Sequence, residues 1–202
     1  MKTAEKVRSK VARARAGTVL SRGEFEGSTS AVDTAISRMV RRGDLTRLRN
    51  GVYFKGLKSR FGTGKPPIDE VVYKLCKGRG VGPAGWSATY ALGVSTQLPA
   101  HREYAVVGAP PSGLGNVRFV SRRNLARIDL RPLEIALLEA LRSWPTFSEV
   151  DWDEFVRRIE GLVNEGEIRL APVLKAGGKD PSRNLRTHLG RLVEDVESAD
   201  DR

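Results

Sequence analysis

The stretch RGDLTRLRNGVYFKG, residues 42–56, alternates apolar and basic residues around an Asn-Gly turn signal. That is the pattern of a β-hairpin. A two-residue Asn50-Gly51 loop would set Leu48 opposite Tyr53 and mix polar and apolar residues on both faces. A three-residue loop over Arg49, Asn50 and Gly51 sorts them better. It places Leu48, Val52 and Phe54 on the core face, Arg47, Tyr53 and Lys55 on the outer face, and Arg49 and Asn50 at the tip. A basic hairpin is either an edge protected from aggregation or an element that touches something negative.

The segment just upstream bears on that choice. Residues 28–43, STSAVDTAISRMVRRG, place Val32, Ala35, Ile36, Met39 and Val40 on one helical face. Ser30 and Asp33 have capping-box spacing, and Gly43 is a C-terminal stop. The opposite face carries Thr34, Ser37, Arg38 and Arg41, with Ser30 at its start. Small hydroxyl residues permit close approach to a DNA major groove, and arginines reach guanine edges or phosphates. An ordinary solvated face would look much the same if the helix stood alone.

Working outward, residues 2–16 carry an apolar stripe of Ala4, Val7, Val11 and Ala14 at helical spacing, ended by Gly17. Residues 18–20 are β-prone. Ser21 and Glu24 make a second capping box before Gly27. The order is helix, short strand, short helix, polar-faced helix, basic hairpin, which is the order of a winged helix-turn-helix. Docking of that motif puts base contacts near the start of the third helix and the hairpin on the adjacent backbone or minor groove. The expected DNA-binding residues are Thr29, Ser30, Asp33, Thr34, Ser37, Arg38, Arg41 and Arg42 on the helix. On the hairpin they are Arg47, Arg49, Asn50, Tyr53 and Lys55.

Charge supports this reading. The chain has 202 residues and a net charge of +11. Residues 1–60 hold 15 basic and 5 acidic residues, and the remainder holds 20 and 19. A segmental excess of this kind points to a polyanionic partner, here double-stranded DNA. No apolar run approaches membrane-spanning length, so no membrane partner is expected. Residues 1–16 lack the apolar core of a secretory signal. One cysteine, Cys76, excludes a disulfide framework and fits a cytoplasmic location.

Residues 61–67, FGTGKPP, read as a linker between a 1–60 DNA-binding domain and a 68–202 second domain. Its GTGK lacks the first glycine and the Ser/Thr of a phosphate loop. Residues 77–85, KGRGVGPAG, lack a dinucleotide pattern and read as a plain loop. Beyond them the expected elements are helices over 68–76 and 86–92, then strands over 103–108 and 117–121 with a Pro/Gly turn between. Further helices are expected from Pro132, from Asp151 and over 182–196. The fold class is therefore α+β, with a winged helix-turn-helix followed by a helix-rich α+β domain. His101 and His188 lie in no metal-ligand spacing, and no nucleophile elbow occurs. No enzyme activity, catalytic residue, metal or cofactor is expected.

Two stretches resemble the AbiEi-type antitoxins. GDLTRLRNGVYF is similar to that family's wing through Gly43, Leu45, Arg47, Leu48, Gly51, Val52 and Tyr53. WSATYALGVSTQLPAHREYAVVG, residues 86–108, resembles the start of the second domain in a bacterial branch through Leu92, Gly93, Thr96, Gln97 and Pro99. The resemblance covers most of residues 18–108. It implies a bacterial toxin–antitoxin pair, often linked to abortive infection and phage defence. The antitoxin represses its own operon at inverted repeats in its promoter. It also counteracts a cognate nucleotidyltransferase-like toxin, with antitoxicity associated with the second domain. A stand-alone transcriptional regulator, with a ligand-binding or dimerising second domain, is the alternative. A nuclease-like second domain would need an acid pair and lysine on strands that 103–108 and 117–121 do not supply.

Overall fold

The computed structural model describes residues 2–59, 62–64, 66–112, 114 and 116–200. These form a mixed helix and sheet protein of two compact units, Met1–Lys77 and Gly78–Arg202.

The first unit begins with α1 (Thr3–Arg13), β1 (Thr18–Ser21) and a 3-10 turn (Arg22–Glu24). The turn carries the Ser21/Glu24 capping box that the spacing predicts. Then come α2 (Thr29–Arg41), β2 (Thr46–Arg49) and β3 (Val52–Lys55). The N-cap of α2 is Ser28, not the Ser30 of the expected capping box, and no side chain caps it. The three strands make an antiparallel sheet in the order β1-β3-β2. Val7 and Val11 of α1 pack with Val32, Ala35, Ile36 and Met39 of α2, with Leu20, Phe25, Leu45 and Tyr53 completing the core. Each fully buried Val, Leu, Ile, Phe or Met among them contributes roughly 1.5–3 kcal/mol.

The hairpin register combines both turn geometries. Arg49 pairs with Val52 at the tip, a bulge follows at Leu48, and beyond it Arg47 pairs with Tyr53 and Thr46 with Phe54. Gly51 takes φ +76°, the left-handed conformation the tip requires. The expected facing of Tyr53 is corrected. Its β1 neighbour is Leu20, and both belong to the core under the helices. Val52 and Phe54, on the other face, are buried as well. A central strand covered on both faces has no solvent side for alternation to mark.

Two short strands, β4 (Lys58–Ser59) and β5 (Gly62–Thr63), pair antiparallel. Part of the expected 61–67 linker lies outside the described residues. The helix α3 (Ile68–Leu75), expected to open the second domain, belongs to the first unit. Val71 and Val72 are buried, α3 lies against β1, and Lys74 forms a 2.8 Å ion pair with Glu24. The physical division therefore follows Lys77.

In the second unit β6 (Val81–Pro83), β7 (Arg102–Val107) and β8 (Val117–Arg122) form a sheet in that order. β6 is the segment expected as plain loop. Three positions, two on one face and one on the other, are too short a pattern to stand out. β7 and β8 pair parallel, so they are not the two arms of a hairpin joined by the expected Pro/Gly turn. The helices are α4 (Gly85–Ala91), α5 (Pro132–Arg142), α6 (Trp152–Asn164), α7 (Leu170–Gly178) and α8 (Arg183–Asp200), with a second 3-10 turn at Leu125–Arg127. Every residue of α5 from Glu134 to Leu141 is buried. A helix buried on every side lies at the centre of its unit, and Phe155, Ile159, Val173, Leu185 and Leu192 surround it in one core.

Two carboxylates on α5 are buried because arginines meet them. Glu134 accepts from Arg169 through Nε at 2.6 Å and Nη2 at 2.8 Å. Glu139 accepts from Arg122 at 2.5 and 3.0 Å and from Arg127. Arg127 also reaches Asp180 at 3.0 Å, and Arg142 donates to Asp180 at 2.5 Å. This network ties β8, the second 3-10 turn, α5 and the connection between α7 and α8 together.

Candidate nucleic-acid interface

The net positive charge belongs to the first unit. Residues 1–77 contain 18 basic and 7 acidic residues, whereas residues 78–202 contain 17 of each. Among the described residues of the first unit, the exposed side chains of α2 are Thr29, Ser30, Asp33, Thr34, Ser37, Arg38 and Arg41, with Arg42 just beyond. Burial of Val32, Ala35, Ile36 and Met39 leaves that polar face outward.

α2 forms a ridge with a groove on each flank. On the hairpin side, Thr29, Asp33, Ser37 and Arg41 line a groove of about 700 Å³ with Arg47, Asn50 and the edge of Tyr53. Arg47 donates to the Asn50 side chain, which holds the two tip groups together. On the α1 side, Thr34, Arg38 and Arg42 line a groove of about 340 Å³ with Lys2 and Arg8. No carboxylate lines this second groove, and Arg42 pairs with Asp44 at 3.0 Å. The residues on α2 separate by helical geometry, since positions four apart share a stripe.

The expected site residues therefore divide. Thr29, Ser30, Asp33, Thr34, Ser37, Arg38, Arg41, Arg42, Arg47 and Asn50 are exposed on or beside the ridge, and Arg49 is half-buried near the hairpin tip. Tyr53 is a core residue, 7% exposed. Lys55 is turned away from the groove. Its Nζ donates to the carbonyl oxygens of Val11 at 2.7 Å, Ala12 at 3.0 Å and Ala14 at 2.7 Å. These carbonyls lie at the C-terminal end of α1, where a cation satisfies orphan acceptors and the negative end of the helix dipole.

Three residues that no local pattern marks line the grooves beside α2. Lys2 and Arg8 line the smaller groove, and Arg22 lines the larger one. Arg22 Nε donates to Asp33 Oδ1 at 3.1 Å, and its backbone N–H reaches Gly51 O at 2.7 Å. Arg22 so joins the 3-10 turn, α2 and the hairpin tip. Its only sequence signal is a basic residue inside a capping box, and the 11 residues to Asp33 have no periodic meaning.

The surface is cationic and hydrogen-bonding. No group of three or more His, Cys, Asp or Glu side chains among the described residues could hold a metal ion. No described helix is long and apolar enough to cross a membrane.

No family model and no curated protein matches the chain. Among solved structures, it is similar to the Rv2827c protein from Mycobacterium tuberculosis, with a TM-score of 0.52 and 17% identity. The match covers 96% of this chain and 76% of that one. At such identity the likeness is one of fold.

Proposed function

We propose that the first unit is a winged helix-turn-helix that binds double-stranded DNA, with α2 in the major groove and the β2–β3 hairpin as the wing. The observation that carries this is the ridge of hydroxyl and arginine side chains with a cation-lined groove on each flank. A major groove is about 12 Å wide and bordered by two phosphate strands. A protruding helix with small residues fits between them, and the flanking cations meet the strands. Thr34, Ser37 and Arg38 are the base-reading candidates. Lys2, Arg8, Arg41 and Arg47 are the phosphate-holding ones.

Within this reading the protein is an antitoxin of the AbiEi type. It represses its own operon and counteracts a nucleotidyltransferase-like toxin from the adjacent gene. Support for that step is the resemblance carried by residues 43–53 and 92–99, together with the cationic grooves beside α2. It is a cytoplasmic protein with no chemistry of its own.

The deciding experiment is a salt titration of the full chain against its own promoter. With about six phosphate contacts, log K falls with log salt at a slope near −5. Thr34→Ala and Arg38→Ala change preference between operator variants. Arg47→Ala weakens binding to every duplex. If all three variants bind the promoter as the parent does, the winged-helix reading fails. Co-expression with the adjacent gene's product tests antitoxicity separately.

A further inference from the structure

The second unit carries a groove that its neutral overall charge does not foretell. It has a volume of about 900 Å³ and runs between the 3-10 turn at Leu125–Arg127 and α7. Arg123, Lys175 and Lys179 line it, and all three are exposed. A fourth cation, Arg169, is engaged by Glu134. The one acid in the lining, Asp129, is 2.7 Å from Arg79. Leu125, also in the lining, is 70% exposed, and Leu174 on α7 is 37% exposed.

The groove is preformed. Asn124 Nδ2 donates to Ala176 O at 2.8 Å and bridges its two walls. Below it Arg127 is held between Glu139 and Asp180. Arg169, at the head of α7, is locked bidentate on Glu134. Groups fixed in this way lose little freedom when a partner arrives.

We infer that this groove docks an acidic protein segment that carries apolar side chains. The unpaired cations select negative charge. Burial of the exposed Leu125 against an apolar side chain is favourable. A phosphate backbone supplies the charge but not that contact. Nucleic-acid surfaces that stack bases use aromatic residues, and none lines this groove among the described residues. The inference stands apart from the DNA-binding reading of the first unit.

The test uses the full chain with its leucine methyls observed by NMR. Two labelled dodecapeptides serve as probes, (Glu-Glu-Leu)4 and (Glu-Glu-Ser)4. A 20-base-pair duplex is the third probe. The leucine peptide is expected to shift the Leu125 methyls and to bind at least ten-fold more tightly than the serine peptide. Leu125→Ser and Arg123→Glu/Lys175→Glu should each weaken it ten-fold or more. Both change exposed side chains, and circular dichroism checks that the fold survives. Equal binding of the two peptides overturns the inference, as does absence of binding or binding that both variants leave unchanged. A duplex that shifts the Leu125 methyls as strongly as the peptide reassigns the groove to nucleic acid and overturns it too.

Discussion

Arg127 and Asp180 form an ion pair, Nη2 to Oδ2 at 3.0 Å, with each side chain only 1% exposed. They lie 53 residues apart in the chain. Arg127 also donates to Glu139, so the guanidinium is compensated by two carboxylates. A buried charge is tolerable only when it is paired, and removal of one partner leaves the other stranded. Asp180→Asn is expected to destabilise the second unit by about 3–5 kcal/mol. Urea denaturation followed by tryptophan fluorescence reads this, since Trp86, Trp144 and Trp152 all lie in that unit. A loss under about 1 kcal/mol would show the network to be dispensable.

The same carboxylates set the acid stability. Burial pushes Glu139 up, but hydrogen bonds and charge from Arg122 and Arg127 outweigh it and hold the carboxyl below its ordinary value. For Asp180, burial is likewise outweighed by the Ser182 N–H and the charges of Arg127 and Arg142. A folded-state pKa below the unfolded one means the unfolded chain takes up protons first. The stabilisation is therefore present above about pH 4 and is lost as pH falls below it toward the depressed folded values. A melting temperature that declines from about pH 5 to pH 2.5 in the parent, and more shallowly in Asp180→Asn, is the expected outcome.

Lys55 and Arg47 share the hairpin but not their partners. Lys55 caps the end of α1 through carbonyls of Val11, Ala12 and Ala14. Lys55→Ala is expected to cost about 1.5–3 kcal/mol, the range for hydrogen bonds to a charged group. The salt slope of DNA binding should not change. Arg47→Ala should reverse that pattern, with stability unchanged and the slope shallower by about one. Thermal melts and salt-dependent fluorescence anisotropy on both variants separate the two roles.

Lys2 and Arg8 test the second flank of α2. The double variant Lys2→Ala/Arg8→Ala should make the salt slope shallower by about two and weaken operator and unrelated duplex alike. A change confined to the operator would assign α1 a part in base readout instead.

Tyr53→Ala should lose about 3–5 kcal/mol, the cost of emptying an aromatic core position. Tyr53 lies against Leu20 in the β1–β3 pairing and inside the helix-covered core. A variant that kept full stability but lost DNA affinity would return this residue to the outer face.

Local patterns sufficed for much of the first unit. The 3.6-residue spacing of Val32, Ala35, Ile36 and Met39 placed α2 and its exposed face, and Asn50-Gly51 placed the turn. The skewed charge of residues 1–60 pointed to the same segment. These signals are short-range, because helix faces and turn conformations are settled by residues a few positions apart. Three features needed the folded chain. The facing of Tyr53 depended on a sheet covered from both sides, Lys55 on the end of a helix 41–44 residues away, and Arg22 on Asp33. The same holds for α3, whose place in the first unit rests on packing against β1 and not on the Gly/Pro-rich stretch before it. In the second unit, Glu134, Glu139 and Asp180 look like surface acids in the sequence. Only the arrival of Arg169, Arg122, Arg127 and Arg142 makes their burial possible, since a carboxylate leaves water only when distant cations are brought to meet it.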